Sequence, residues 1–132
     1  MAKVSGKFGV KILPQKADNP QAEAAGLGRM SLDKQYHGDL EATGEGEMLS
    51  VLDRSTGSGA YVAMERVAGT LAGRSGSFVL MHHATMAHGE PELTIRVVPG
   101  SGTEELADLR GTMDIRIEEK QHFYDFDYEI GA

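Results

Sequence analysis

The chain has neither cysteine nor tryptophan among its 132 residues. Without thiols it has no disulfide, no thiolate metal site and no thiol nucleophile. That composition is compatible with a reducing compartment. No run approaches the ~18 apolar residues of a spanning helix. The opening MAKVSGKFGV holds no apolar core of signal-peptide length. The expected location is therefore the cytoplasm, with no membrane partner. Basic excess is missing as well: 13 Lys and Arg stand against 20 Asp and Glu, a net charge of −7. The acidic residues are scattered, which suits solubility. No stripe of Lys and Arg is available to neutralise phosphates, so nucleic acid is not an expected partner.

Glycine is plentiful, at 17 residues, and proline scarce, at four. The glycines recur between β-type runs, as turns, bulges and tight barrel bends require. The runs alternate with period two, the signature of strands with one wet face. Residues 3–12 put Val4, Phe8, Val10 and Ile12 on one face and three lysines on the other. Residues 13–26, with two prolines, read as a loop excursion carrying a helical turn at 20–25. Strands are expected at 27–36 (Met30, Leu32, Lys34 and Tyr36 inward) and at 40–49 (Leu40, Ala42, Gly44, Gly46 and Met48 inward). Residues 53–59 read as a polar loop. A tight turn at Ala72-Gly73 would join strands 60–71 and 74–87, setting Glu65 opposite Leu80 and Ala63 opposite His82. Further strands follow at 92–98, 108–118 and 121–130. A short helical turn near 103–107 has Thr103 as its expected cap. No amphipathic helix exceeds about two turns. Eight hairpin-linked strands close most simply into one antiparallel all-β barrel, which removes exposed edges. The expectation is a single domain over 1–132.

Motifs for chemistry are few. The Gly69–Gly76 stretch lacks the Gly-Lys-Ser/Thr ending of a phosphate loop and opens a strand rather than a helix. His82 and His83 point to opposite faces. His82, His122 and Glu65 on inward faces would suit zinc or iron. No compact ligand spacing supports that, and satisfied barrel histidines are the simpler reading, so no metal and no cofactor is expected. Glu65 is the carboxylate of most interest, because a buried carboxylate must be paired or hold its proton. Pairing with Lys34 and a proton-holding general acid or base both stay open. Asp33 and Asp39, flanking a turn, are read as turn residues before they are read as a proton-sharing pair. Methionines on several strands suit an irregular core or an adaptable apolar site.

Four phrases in order, RMSLDKQYHGDLEATGEGEML, YVAMERVAGTLAGRSGSFVLMHH, VVPGSGTEELADLRGTM and HFYDFDY, resemble a bacterial family described only as a domain of unknown function. The likeness runs from residue 27 onward. It implies a small barrel of the allene-oxide-cyclase or dirigent type, similar in shape to lipocalins. Carried over by position, it points to Lys34, Asp39, Glu65, Phe78, His82, His122 and Tyr124, with Gly69, Gly73, Gly76 and Gly111 as backbone positions. The chain departs from the family phrase at Met81, where glutamine is usual before the histidine. The resemblance also brings in an acid-peptidase-like role.

The leading expectation is a barrel that binds a small, largely apolar molecule through Lys34, Tyr61, Glu65, Phe78, His82, His122 and Tyr124. A hydrolase using Glu65, His82 or Asp39 for acid–base work is the alternative. A structural or oligomer-forming module without a pocket is the third, and a homo-oligomer is compatible with the sequence.

Overall fold

A computed structural model describes residues 2–131. Eight strands follow one another: β1 (Ala2–Gln15), β2 (Gly28–Gly38), β3 (Leu40–Asp53), β4 (Ser58–Leu71), β5 (Arg74–Ala87), β6 (Glu90–Val97), β7 (Leu109–Glu118) and β8 (Gln121–Ile130). Every neighbour pair is antiparallel, and β8 pairs back onto β1, closing the barrel. The expected strand faces hold. Glu65 pairs with Leu80 and Ala63 with His82, and Glu118 pairs with Gln121 across the Glu119–Lys120 turn. His82 is buried while His83 is exposed.

Four details differ from the sequence expectation. β1 runs through Pro14 to Gln15, pairing with β2 as far as Arg29, so the excursion begins later than residue 13. Its helix, α1 (Pro20–Ala24), starts at Asn19, whose Oδ1 accepts the Ala22 N–H at 2.8 Å. β3 and β4 extend to Asp53 and Ser58, which shrinks the polar loop to a turn. Thr103 makes no side-chain cap on the 3-10 turn Glu104–Leu106. Its Oγ1 accepts the Ser77 N–H at 3.0 Å instead, tying the loop to β5.

The two ends of the barrel are unlike. The end carrying the β2–β3, β4–β5 and β6–β7 connections is filled. Leu40, Leu71, Phe78, Leu106 and Leu109 are each at most 1% exposed there, and the Phe78 and Phe126 rings stack at 5.8 Å. The 3-10 turn delivers Leu106 against β5 as a plug. At the other end the inward stripes run out into solvent, leaving Ile12, Met86, Leu93 and Ile117 exposed. The seams also differ. Among the described residues β1 and β8 share seven paired positions, whereas β6 and β7 share only Ile95↔Met113 and Arg96↔Thr112. Past Val97 the chain stays with β5, where the Val98 N–H donates to the Val79 carbonyl and the Thr103 N–H to the Ser77 carbonyl.

Among the described residues no helix is long and apolar enough to cross a membrane. The outward strand positions carry Lys3, Lys7, Lys11, Asp33, Glu41, Glu45, Arg66 and Asp127. A membrane barrel shows an apolar band outward, so this polarity is the reverse. Among the apolar exceptions on that face are Leu13 on β1 and Leu49, Val51, Val62 and Met64 on β3 and β4.

Candidate functional site

Among the described residues, Lys34, Glu65 and His82 are the buried acidic and basic side chains, 6%, 1% and 3% exposed. They meet at one carboxylate. Glu65 Oε1 accepts the Lys34 Nζ–H at 3.1 Å and the His82 Nε2–H at 2.9 Å. Oε2 accepts the Tyr36 hydroxyl at 2.6 Å. An ionised carboxylate only accepts, so His82 must carry its proton on Nε2 here. The Lys34 ammonium also stands 5.3 Å from the Phe8 ring centre and 5.9 Å from that of Tyr36, within cation–π range.

The strand order explains how these groups meet. Lys34 is on β2 and Glu65 on β4, with β3 between them. The β3 position beside Lys34 is Gly44, and the one beside Glu65 is Gly46. A Cβ on Gly44 would sit 2.0 Å from Glu65 Oε2. The missing side chain therefore leaves a trough through which the ion pair forms. Ala63, which pairs with His82 on β5, is also small.

The Glu65 carboxyl titrates below its ordinary value of 4.5. Burial alone would raise it. The His82 hydrogen bond, the Lys34 charge, the Tyr36 hydrogen bond and the His82 charge together outweigh that. The proton-holding alternative for Glu65 is thus corrected: the residue is paired and ionised. Tyr36 is pushed well above 10.0 by burial, then by the neighbouring Glu65 charge and hydrogen bond, so it stays a hydroxyl donor.

The remaining candidates divide between the ends of the barrel. Tyr124 lies in the filled half, donating to the His37 carbonyl at 2.9 Å and accepting the Leu40 N–H at 3.1 Å. Its ring meets Tyr36 edge-on at 5.7 Å. Phe78 is core. His122 is half-buried against Phe8 at 5.3 Å. No group of three His, Asp or Glu able to hold a metal occurs among the described residues, so His122 does not join Glu65 and His82 as a ligand set. Asp39 is an exposed turn residue, whose carbonyl accepts the Ala72 N–H at 2.7 Å. Asp33 is mid-strand on β2, pairing with Lys11 and Glu45 rather than flanking a turn. Five residues of extended chain separate it from Asp39, so the two cannot share a proton.

Tyr61 faces a different space. A cavity of about 290 Å³ opens at the unfilled end, lined chiefly by Met48, Ser50, Tyr61, Ala84, Met86 and Leu93. Met48 pairs with Ala63, and Ala63 with His82, so the cavity lining begins on the same rung of the barrel as His82. Two participants escaped the sequence reading. From the sequence Tyr36 reads only as an inward aromatic, although it follows Lys34 by two residues on that face. Ser50 lies just past the expected end of its strand.

A family model described as "Protein of unknown function (DUF3224)" matches residues 4–128. The chain belongs to the DUF3224 family. A crystal structure of a DUF3224 protein of unknown function from Shewanella oneidensis MR-1 is similar at 49% identity. It superposes with a TM-score of 0.92, covering 100% of this chain and 98% of that one. No curated protein matches. The resemblance to an unknown-function bacterial family is therefore DUF3224 itself, with a closed eight-stranded barrel.

Proposed function

We propose that this DUF3224 barrel binds a small, largely apolar molecule in the cavity at its unfilled end. One observation carries the reading: a recess of about 290 Å³, walled by methionine, alanine, leucine and tyrosine, sits directly above a fixed polar cluster. Its size is near the lower limit of ligand pockets, about 300 Å³. Met48 and Met86 give the wall an adaptable lining. The likeness to allene-oxide-cyclase and dirigent barrels, and through them to lipocalin-like containers, belongs to this reading and is supported by shape alone. A cytoplasmic setting goes with it, in keeping with the cysteine-free composition. The test is fluorescence of the neutral probe N-phenyl-1-naphthylamine. Emission should rise on adding protein and fail to rise with Ala84→Trp, which fills the recess. Equal enhancement by both proteins, with circular dichroism unchanged, would overturn the reading.

A second reading is acid–base catalysis. It is favoured by the Glu65–His82 contact, in which a carboxylate fixes an imidazole by Nε2 and leaves Nδ1 as the working nitrogen. Ester and peptide hydrolysis assayed from pH 3 to 8, with His82→Gln as control, separates the two. Activity lost in His82→Gln would support catalysis, and no activity at any pH would remove it.

A further inference from the structure

The cavity at the unfilled end has its own polar chemistry, distinct from that of the buried cluster. Ser50 and Tyr61 are directly paired across β3 and β4, and both stand on inward positions. Both line the recess. The side-chain hydrogen bonds nearby run within the β3–β4 turn, from Ser55 to Asp53, and between that connection and the β5–β6 turn, from the His88 N–H to Ser58. Neither the Ser50 Oγ nor the Tyr61 hydroxyl takes part in them. Burial is the one cause that raises Tyr61 above 10.0, with no hydrogen-bond partner contributing. Tyr61 is therefore a neutral phenol with a free donor. No cation is among the lining residues, and the one carboxylate, Glu92, lies at the rim. It pairs with Thr85 on the outward-facing side of β6. One layer deeper, the Lys34 charge is already taken up by Glu65.

We infer that the ligand of this cavity is an uncharged, mainly aliphatic molecule carrying one hydrogen-bonding oxygen, held by the Ser50–Tyr61 hydroxyl pair. This rests on the small-molecule reading above and names its ligand class. An anion would enter an acidic protein of net charge −7 past Glu92 and find no cation. A cation would lose its hydration among methionine and leucine with only two hydroxyls in return, and an isolated charge in apolar surroundings is strongly disfavoured. A ketone, alcohol or ester oxygen asks for what the pair supplies: one or two neutral hydrogen bonds within an apolar wall.

The test is a titration with three probes of matched chain length, 2-decanone, decanoate and decylammonium. It is followed by NMR at the Met48 and Met86 methyl groups, with Ser50→Ala, Tyr61→Phe and the double variant alongside. 2-Decanone should shift both methyls and bind at least tenfold tighter than either charged probe. Each single variant should weaken it about threefold to tenfold, the range of a neutral hydrogen bond. Decanoate or decylammonium binding as tightly as 2-decanone would overturn the ligand class while leaving the cavity intact. Unchanged 2-decanone affinity in the double variant would overturn the role of the hydroxyl pair. Failure of all three probes to move either methyl would instead count against the small-molecule reading itself, and the inference would fall with it.

Discussion

Lys34 and Glu65 meet at 3.1 Å across a strand that belongs to neither of them. The space they use is the one that Gly44 leaves empty. Gly44→Ala would bring a Cβ to 2.0 Å from Glu65 Oε2, and the carboxylate would have to leave its three donors. The expected loss is about 3 kcal/mol or more, the scale of a broken buried ion pair. Urea unfolding of the two proteins checks it, and a loss under about 1 kcal/mol would show that the trough can relax.

The cluster is expected to be costly to break and cheap to replace. Glu65→Leu alone strands a buried ammonium and should cost about 3–5 kcal/mol. Combining it with Lys34→Met and His82→Leu removes every charge that needs an answer. The triple variant should recover most of that loss, as buried ion pairs elsewhere tolerate apolar replacement. A triple variant no more stable than Glu65→Leu would mean that the cluster's hydrogen bonds hold the barrel in a way that packing cannot.

Tyr36 donates to Glu65 from a fully buried position. Tyr36→Phe keeps the ring that packs tilted against Phe8 at 5.6 Å and removes only the hydroxyl. The expected cost is about 1.5–3 kcal/mol, the range for a hydrogen bond to a charged group. Thermal unfolding at pH 7 reads it directly.

Acid should find Glu65. Its folded-state value lies below the ordinary 4.5, so the folded protein holds this proton less readily than the unfolded chain. The stabilisation is complete above that ordinary value and is lost as pH falls through the lowered one. Stability of the parent protein should therefore drop below about pH 4.5, and the drop should be shallower in Glu65→Gln. Exposed Glu47 and half-buried Asp125, lowered by Arg29 and Arg116, add a background common to both proteins. Parallel pH profiles would contradict the assignment.

Much of this was legible in the sequence, for identifiable reasons. Glu65 and His82 could be set on one side because a two-residue turn at Ala72-Gly73 fixes a register, and a register fixes every face beyond it. The Lys34–Glu65 pair could be raised as one of two readings from shared faces alone. Choosing it required the offset between β2 and β4, which depends on how the closed barrel shears its strands. The same offset hid the purpose of Gly44, which alternation marked only as a small inward residue. Ser50 was lost because Val51, Leu52 and Asp53 break the polar–apolar rhythm where β3 runs past the packed core. Without a core face to impose period two, the pattern carries no signal.

The two-position seam between β6 and β7 bears on how the chain is threaded. The first and last strands, β1 and β8, are well paired with each other, with Ala2 opposite Tyr128. The seam between the first and last strands is thus the strong one, and a continuous stretch of chain spans the weak one. A circular permutant with its old ends joined and new ones cut at Gly100 would reverse this. Its strands would follow as β7, β8, β1 and onward to β6, zipping neighbour by neighbour, and the last step would be a two-rung clasp. Natural threading places that clasp mid-chain, where the 98–108 segment both bridges the gap and carries the Leu106 plug.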